Sequence, residues 1–215
     1  MSGPQPAALL STAVANSDDV LDFWFGPEPD AADTIEQRNR RWFKADDGFD
    51  ALVRKNFAAT LVAAAAGHLK TWKLSPRGTL ALVIIFDQFT RNIHRGTPQA
   101  FAYDARALAL ARDAVALGHD DELSIIERSF LYLPLEHAED IEAQTVSVGC
   151  FERLLESTPD ALRPTAEVAL SHAREHYNLI ARFGRFPHRN LPLDRPSTVD
   201  EQAWLSAHPR KYGQT

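Results

Sequence analysis

The apolar side chains of the sequence repeat with the period of an α-helix, and no alternating runs joined by hairpin turns are found. Side-chain caps and prolines mark several helix starts, because proline at the first helical position gives up no hydrogen bond. Short connections favour antiparallel neighbours, so we expect an all-α fold of about nine helices in a helical-hairpin stack. The expected helices cover residues 17–25, 34–44, 49–66, 76 onward, 98–117, 121–132, 135–157, 162–182 and 197 or 198 onward.

The same pattern predicts which side chains face the core and where helices end. Glycines at 67, 118 and 184 are expected to end helices, and Pro134 is expected to break one. The run from Leu80 to Phe86 leaves no polar face, which indicates a helix buried on most sides. Side chains assigned to packing faces are Leu21, Trp24, Phe25, Trp42, Phe43, Leu82, Val83, Ile85, Phe86, Trp204 and Leu205.

Composition narrows the function classes. The chain has 215 residues, of which 45% are hydrophobic, so we expect a single helical domain over residues 17–215 after a flexible segment 1–16. The formal charge of −6 opposes nucleic-acid binding. The densest apolar run is far shorter than the ~20 residues of a membrane span. One cysteine, Cys150, and a start without signal-peptide features favour the cytoplasm.

Three polar clusters interrupt the apolar pattern, and the first is DQFTRN. Asp87 and Arg91 are four residues apart on one helix face, and Gln88 and Asn92 have the same spacing on the adjacent face. They directly follow the buried run, where an unpaired charge costs several kcal/mol and requires a partner. The cluster is therefore either a local salt bridge that ends the helix or part of a ligand site.

The second cluster lies in LYLPLEHAED. Glu136, Asp140 and Gln144 recur every four residues, and His137 lies three residues before Asp140. Two carboxylates one helical turn apart repel each other unless cations lie between them, so basic partners are expected. The cluster is either a histidine–carboxylate group for general acid–base catalysis or a buried network of ion pairs.

The third cluster, ARFGRFPHRN, places four basic side chains in a loop that Pro187 stiffens: Arg182, Arg185, His188 and Arg189. Arginine suits carboxylate or phosphate, and Phe183 and Phe186 are expected to anchor the loop in the core. These arginines, with Arg91 and Arg95, number five against the three acids Asp87, Glu136 and Asp140. If all of them meet, a cationic surplus remains that an anion would fill.

Common catalytic signatures are missing, including the G-x-S-x-G elbow, the phosphate-binding glycine loop, H-E-x-x-H and paired metal-binding cysteines. His172 and His176 have the spacing of a metal-binding pair, but that spacing also arises by chance on helices. We predict neither a metal nor another cofactor. Cys150 lies in an amphipathic helix without a nearby motif and is assigned to packing.

The segments FDQFTRNIHRGTPQAFAYD, FLYLPLEHAEDIEAQ and RFGRFPHRN, with the opening VLDFWFGP, resemble the bacterial domain of unknown function 924 family. The resemblance extends from about Val20 to Trp204 and implies a helical fold similar to tetratricopeptide repeats, with no assigned activity. This chain departs from the family pattern at Thr90, His94 and Ala138. The departures do not affect the polar positions Asp87, Arg91, Asn92, Glu136, His137, Asp140, Arg185, His188 and Arg189.

We therefore carry two hypotheses forward. In the first, the clusters meet in a polar pocket that binds a small anionic or polar molecule, with acid–base catalysis. The catalytic candidates are His137, Asp140, Glu136 and His188; the ligand-binding candidates are Asp87, Gln88, Arg91, Asn92, Arg185, Arg189 and Asn190. In the second, the protein is a helical scaffold whose concave groove binds a peptide or protein. An exposed Trp24, Trp42, Trp72 or Tyr103 would favour the scaffold.

Overall fold

The computed structural model describes residues 13–208, and every regular element in that range is a helix. The all-α class is confirmed, and the resemblance to tetratricopeptide stacking stays a prediction. The α-helical segments are α1 (Ser17–Phe25), α2 (Ile35–Phe43), α3 (Asp47–Ala65), α4 (Pro76–Val83), α5 (Thr90–Ile93), α6 (Asp104–Ala116), α7 (Ile125–Glu136), α8 (Ile141–Ser157), α9 (Arg163–Phe183) and α10 (Val199–Ala207). No helix in the described range is both long and apolar enough to cross a membrane.

The N-terminal helices follow the predicted pattern except at one aromatic residue. Asn16 caps α1 through a capping box, and the Ala15 N–H donates to Thr60, so the part of the predicted flexible segment that is described is bound to the fold. Residues 1–12 lie outside the described range. Trp42 is buried, but Phe43 is 57% exposed, so its inward assignment was wrong. Neighbouring residues of a helix point about 100° apart, and only Trp42 reaches the core.

A π-helical segment, Ile84–Phe89, joins α4 to α5, and together they form one continuous helix that we call the central helix. With α4 and α5 counted as one, the described residues contain the predicted nine helices. Leu80, Val83, Ile84 and Ile85 are fully buried, and the central helix packs against α1, α3, α6 and α7. The all-apolar run predicted this burial, and its π geometry was not predicted.

The region around Pro134 differs most from the prediction. Pro134 lies inside α7, whose last turn closes with a hydrogen bond from the His137 N–H to the Leu133 carbonyl. Helix α7 then ends at Glu136. Asp140 caps the next helix, α8, by accepting a hydrogen bond from the Glu142 N–H. The predicted helix 135–157 was therefore wrong, and Glu136, Asp140 and Gln144 do not share one helix face. Proline inside a helix removes one backbone hydrogen bond, but here α7 continues past Pro134 to Glu136.

Two other predicted helices begin later than expected. Residues from Pro98 to Phe101 form a 3₁₀ turn, and the α-helix starts at Asp104. Another 3₁₀ turn occupies His119–Glu122, so α7 starts after its cap Ser124. Gly118, the predicted stop of α6, lies close to the observed end at Ala116, whereas α7 continues beyond its predicted end at residue 132 to Glu136. The expected cap-and-proline start at Thr97 and Pro98 gives only a 3₁₀ turn, and the Thr97 side chain makes no capping hydrogen bond there.

The core surrounds the central helix and the faces of α1, α3, α6, α7 and α8 turned towards it. A smaller apolar cluster of Leu179, Ile180 and Phe186 lies at the end of α9. Between these two apolar regions, the π segment, the end of α7, the second half of α9 and the 3₁₀ turn Pro187–Arg189 meet. This junction contains most of the buried charged side chains discussed below.

Candidate functional site

Asp87, in the π segment, is the centre of the buried polar junction. Its side chain is 1% exposed. One carboxylate oxygen, Oδ1, lies 2.8 Å from Nδ1 of His137 and 2.9 Å from a terminal nitrogen of Arg91. The other, Oδ2, accepts a hydrogen bond of 2.6 Å from Gln88. Burial opposes ionisation of Asp87, but Arg91 and His137 outweigh it and hold the pKa of this carboxyl below its ordinary value.

Two arginines share the carboxylate of Asp104. Arg91 binds it with two hydrogen bonds, of 2.9 and 3.0 Å. Arg189 reaches it with one longer contact of 3.4 Å, and its guanidinium lies over the rings of Phe101 and Phe186 at 4.9 and 4.5 Å. Burial and the charge of Arg91 lower the pKa of Arg189 to about 10. We call Asp87, Arg91, Asp104, His137 and Arg189 the Asp87 cluster.

His137 is held by Asp87 in a defined orientation. Burial is the largest effect on this ring and lowers its pKa, although Asp87 acts in the opposite direction. A neutral imidazole beside an ionised carboxylate donates its Nδ1–H to that carboxylate, which leaves the lone pair on Nε2. The side chain is 17% exposed. The arrangement therefore presents a neutral, oriented base near the surface.

A second group of titratable side chains lies behind the Asp87 cluster. Oε1 of Glu136 is 3.1 Å from Nδ1 of His176, and that nitrogen also lies 2.9 Å from the His172 carbonyl, to which it donates. Burial, with the charges of Asp87 and Glu175, raises the pKa of Glu136 to about 8. Burial lowers the pKa of His176 to about 3. The contact between them therefore joins two neutral groups and is not an ion pair.

His188 completes this second group. Its ring lies 5.4 Å from that of Phe186, which in turn lies 5.3 Å from His176. The rings of His176 and His137 are 6.3 Å apart. Burial, followed by the positive charge of Arg189, lowers the pKa of His188 to about 2. The structure thus brings together Asp87, Gln88, Arg91, Glu136, His137, His188 and Arg189 from the three predicted clusters.

Four of the predicted site residues take partners outside the Asp87 cluster. Asp140 pairs at the surface with Arg112 at 2.7 Å, and Arg185 pairs with Glu201 at 2.7 Å. Asn190 donates to Ser197, and Asn92 donates to Asp50. The expected surplus of five arginines over three acids was wrong as well, because Arg95 binds Asp50 and Arg185 binds Glu201.

Sequence reasoning missed Asp104 and His176. Asp104 is the first residue of α6 and binds both buried arginines, and nothing local in FAYDAR distinguishes it from a capping residue. His176 was considered only as a metal ligand with His172. The signal that could have identified it is its position on the buried face of α9, where an ionisable side chain requires a partner. Within residues 13–208, no group of three or more His, Cys, Asp or Glu side chains is arranged to hold a metal.

Two surface clefts accompany these polar groups. The larger, of about 740 Å³, lies between α3, the end of the central helix and residues 191–192. Asn92, one of the predicted ligand-binding residues, lines this larger cleft. The smaller, of about 390 Å³, lies between α8 and α9 near Arg174 and Glu175. The larger cleft has the volume of a small-molecule site, which is commonly 300–1,000 Å³.

Comparisons with other proteins agree with this architecture. A family model described as "Bacterial protein of unknown function (DUF924)" matches residues 20–208. Curated proteins show no significant match. One similar solved structure is that of a protein of unknown function, ATU0120, from Agrobacterium tumefaciens, with 37% identity, a TM-score of 0.72 and coverage of 89% of this chain and 97% of that chain. The chain therefore belongs to the bacterial DUF924 family.

Proposed function

We propose that this protein binds a small anionic molecule at the Asp87 cluster and that His137 exchanges a proton with it as a general base. The observation on which the proposal depends is the Asp87–His137 pair of 2.8 Å beside the buried guanidinium of Arg189. The lone cysteine suits a reducing compartment, so we place this activity in the cytoplasm.

The histidine supplies the proton chemistry. A carboxylate that accepts from Nδ1 fixes the tautomer and the orientation of the ring, and it stabilises the imidazolium that forms when Nε2 takes up a proton. Asp87 is itself fixed by Arg91 and Gln88, so the pair is rigid. Rigid orientation of a base is what general catalysis requires, because reorganisation then costs little at the moment of proton transfer.

Arg189 supplies the affinity for an anion. Its guanidinium is buried, and its contact with Asp104 is longer than the two bonds from Arg91 to the same carboxylate. Among the described residues, its Nε has no hydrogen-bond partner. A buried cation with unused donors gains strongly from a carboxylate or phosphate, because charge-assisted hydrogen bonds are about twice as strong as neutral ones.

The alternative hypothesis, a scaffold with a peptide groove, has less support. Such a groove would expose aromatic side chains, but Trp24 and Trp42 are buried. Trp72 and Tyr103 are half-buried and pack against the core. The buried polar junction is also more elaborate than a scaffold requires, which favours a site for a small molecule.

Isothermal titration calorimetry with inorganic phosphate and with citrate tests the proposal. We expect binding of at least one of them, weakened about tenfold in Arg189→Met, because one charge-assisted hydrogen bond contributes about 1.5–3 kcal/mol. An anion near a neutral imidazole favours its protonated form. Binding at pH 6 should therefore take up protons, seen as a dependence of the heat on buffer ionisation enthalpy, and His137→Gln should abolish that uptake.

The matched control is Arg112→Met, which removes a surface arginine paired with Asp140 and leaves the Asp87 cluster intact. Its affinity for phosphate and citrate should equal that of the wild type. Absence of heat for both anions, or equal affinity in wild type and Arg189→Met, would refute the anion site. Proton uptake that persists in His137→Gln would refute the role of His137.

A further inference from the structure

The larger cleft has a floor in which every charge is neutralised. Asp50 and Asn92 are buried, and one Asp50 oxygen accepts a hydrogen bond of 2.7 Å from Asn92. Arg95 binds both oxygens of Asp50, at 2.6 and 2.9 Å. The floor is thus a fixed, closed ion pair that holds α3 against the end of the central helix.

The wall of the cleft that α3 forms differs from the floor, because it carries one charge of each sign without an opposite partner. Asp47 and Arg54 both line the cleft from α3 and are exposed. Arg54 donates to the Ile93 carbonyl. Within residues 13–208, no basic group lies within 4 Å of the Asp47 carboxylate and no acidic group lies within 4 Å of the Arg54 guanidinium.

An apolar side chain borders the same space. Leu191, next to Pro192 on the opposite wall, is 86% exposed. Exposed leucines are common singly, but this one faces a polar cleft of about 740 Å³ rather than open surface. A ligand that covered Leu191 would gain hydrophobic energy that the free protein does not have.

From these features we infer that the cleft between α3, the central helix and residues 191–192 binds a free α-amino acid with an apolar side chain. The ammonium of the ligand pairs with Asp47, its carboxylate pairs with Arg54, and its side chain covers Leu191. This site is separate from the proposed anion site, since its residues are not members of the Asp87 cluster.

Asp47 and Arg54 lie on one face of α3, close enough along the helix for one small ligand to contact both. They are seven residues apart, which places their backbones about 10 Å apart along the axis. An ion with one charge would pair with only one of these two side chains.

Calorimetry with three related probes tests the inference: L-leucine, L-leucinamide, which lacks the carboxylate, and 4-methylpentanoate, which lacks the ammonium. We expect leucine to bind at least about tenfold more tightly than either analogue. Arg54→Met should reduce leucine affinity to that of leucinamide and leave leucinamide unchanged. Asp47→Asn should reduce it to that of 4-methylpentanoate.

Both substitutions change exposed side chains, so the variants should fold. The matched control is Lys55→Met, which removes an exposed cation from the same helix without touching the cleft and should bind leucine like the wild type. Arg189→Met should also leave leucine binding unchanged, so failure of one proposed site can be told from failure of the other. Equal binding of all three probes, no heat from leucine at about 10 mM, or wild-type affinity in Arg54→Met would overturn the inference.

Discussion

Arg91 and Arg189 bind the same carboxylate, but we expect them to affect stability differently. Arg91 neutralises both Asp87 and Asp104 with close contacts, so its removal would leave two buried acids without their cation. Arg189 has one long contact and lies beside a like charge. Burying this guanidinium costs free energy of folding. Proteins keep such a cost at sites where a ligand pairs with the charge.

We therefore predict that Arg91→Met lowers the free energy of unfolding by about 3 kcal/mol or more, while Arg189→Met leaves it equal to or above the wild-type value. Methionine keeps the contact with Phe101 and Phe186, so packing changes little. Urea unfolding followed by circular dichroism measures both. A large loss in Arg189→Met would indicate that this arginine belongs to a purely structural network.

Cys150 is a thiol packed in the core. It is fully buried in the core, and burial raises its pKa above the ordinary value. We expect Cys150→Ala to cost less than about 2 kcal/mol of unfolding free energy, because a small cavity forms when one sulfur is removed. The native thiol should react slowly with a polar disulfide reagent. Fast reaction in the folded state would contradict this.

At the scale of elements, the start of α7 is stabilised from a distant part of the chain. Asp30 accepts hydrogen bonds from the first two N–H groups of α7, those of Ile125 and Ile126, at 3.0 and 2.9 Å. Ser124 accepts from the third, that of Glu127. All three orphan donors of the first turn are thus satisfied, and α7 holds Glu136 at its other end.

Replacing Asp30 by alanine should destabilise the protein by about 1–2 kcal/mol, because two N-terminal donors of α7 lose their acceptor. Asp30→Asn keeps one acceptor oxygen and should cost less. Thermal unfolding of both variants measures the effect. The control is Asp33→Asn, which changes an acid of the same loop region that does not cap α7. Equal melting temperatures for all three would exclude this capping role.

The elements that sequence reasoning predicted well are those with a local signal. The capping box at Thr198 predicted the start of α10 correctly. Gly184, in the left-handed conformation, predicted the end of α9 correctly. Pro134 misled it, since α7 continues past this proline to Glu136. The π segment was not predicted either.

At the scale of the whole molecule, the candidate site was only partly predictable. The three polar clusters do supply Asp87, His137 and Arg189 to one junction. Which acid neutralises which arginine depends on long-range packing. Asp87 pairs with Arg91 as expected, but Arg95, Arg185 and Arg189 pair with Asp50, Glu201 and Asp104. Charge balance in a sequence window constrains the composition of a site but not its pairing.

Buried neutral groups give the molecule a predicted optimum of stability near pH 6.5. His137, His176 and His188 have lowered pKa values in the fold, so below about pH 6.5 the unfolded chain binds more protons and stability falls with decreasing pH. Glu136, with its pKa raised to about 8, keeps its proton in the fold but loses it when unfolded. Stability therefore also falls as the pH rises towards 8.

The variant Glu136→Gln separates the two effects, since glutamine has no proton to lose. Between pH 6.5 and 8 the wild type should lose up to about 1.4 kcal/mol per pH unit, and the variant should lose much less. The decrease below pH 6.5 should remain in both. Urea unfolding at pH 5, 6.5 and 8 gives the three values, and parallel curves above pH 6.5 would disprove the assignment to Glu136.

The π segment also affects how relatives of this chain should be aligned. A π turn contains one residue more than the α-helix needs, and each helical residue rotates the following ones by about 100°. A relative without that residue would need a one-position gap inside an unbroken helix, where alignment rules seldom allow one. An ungapped alignment would displace either the apolar face of α4 or the Asp87–Arg91 pair by one position. The relative would then seem to lack residues of the Asp87 cluster that it in fact has.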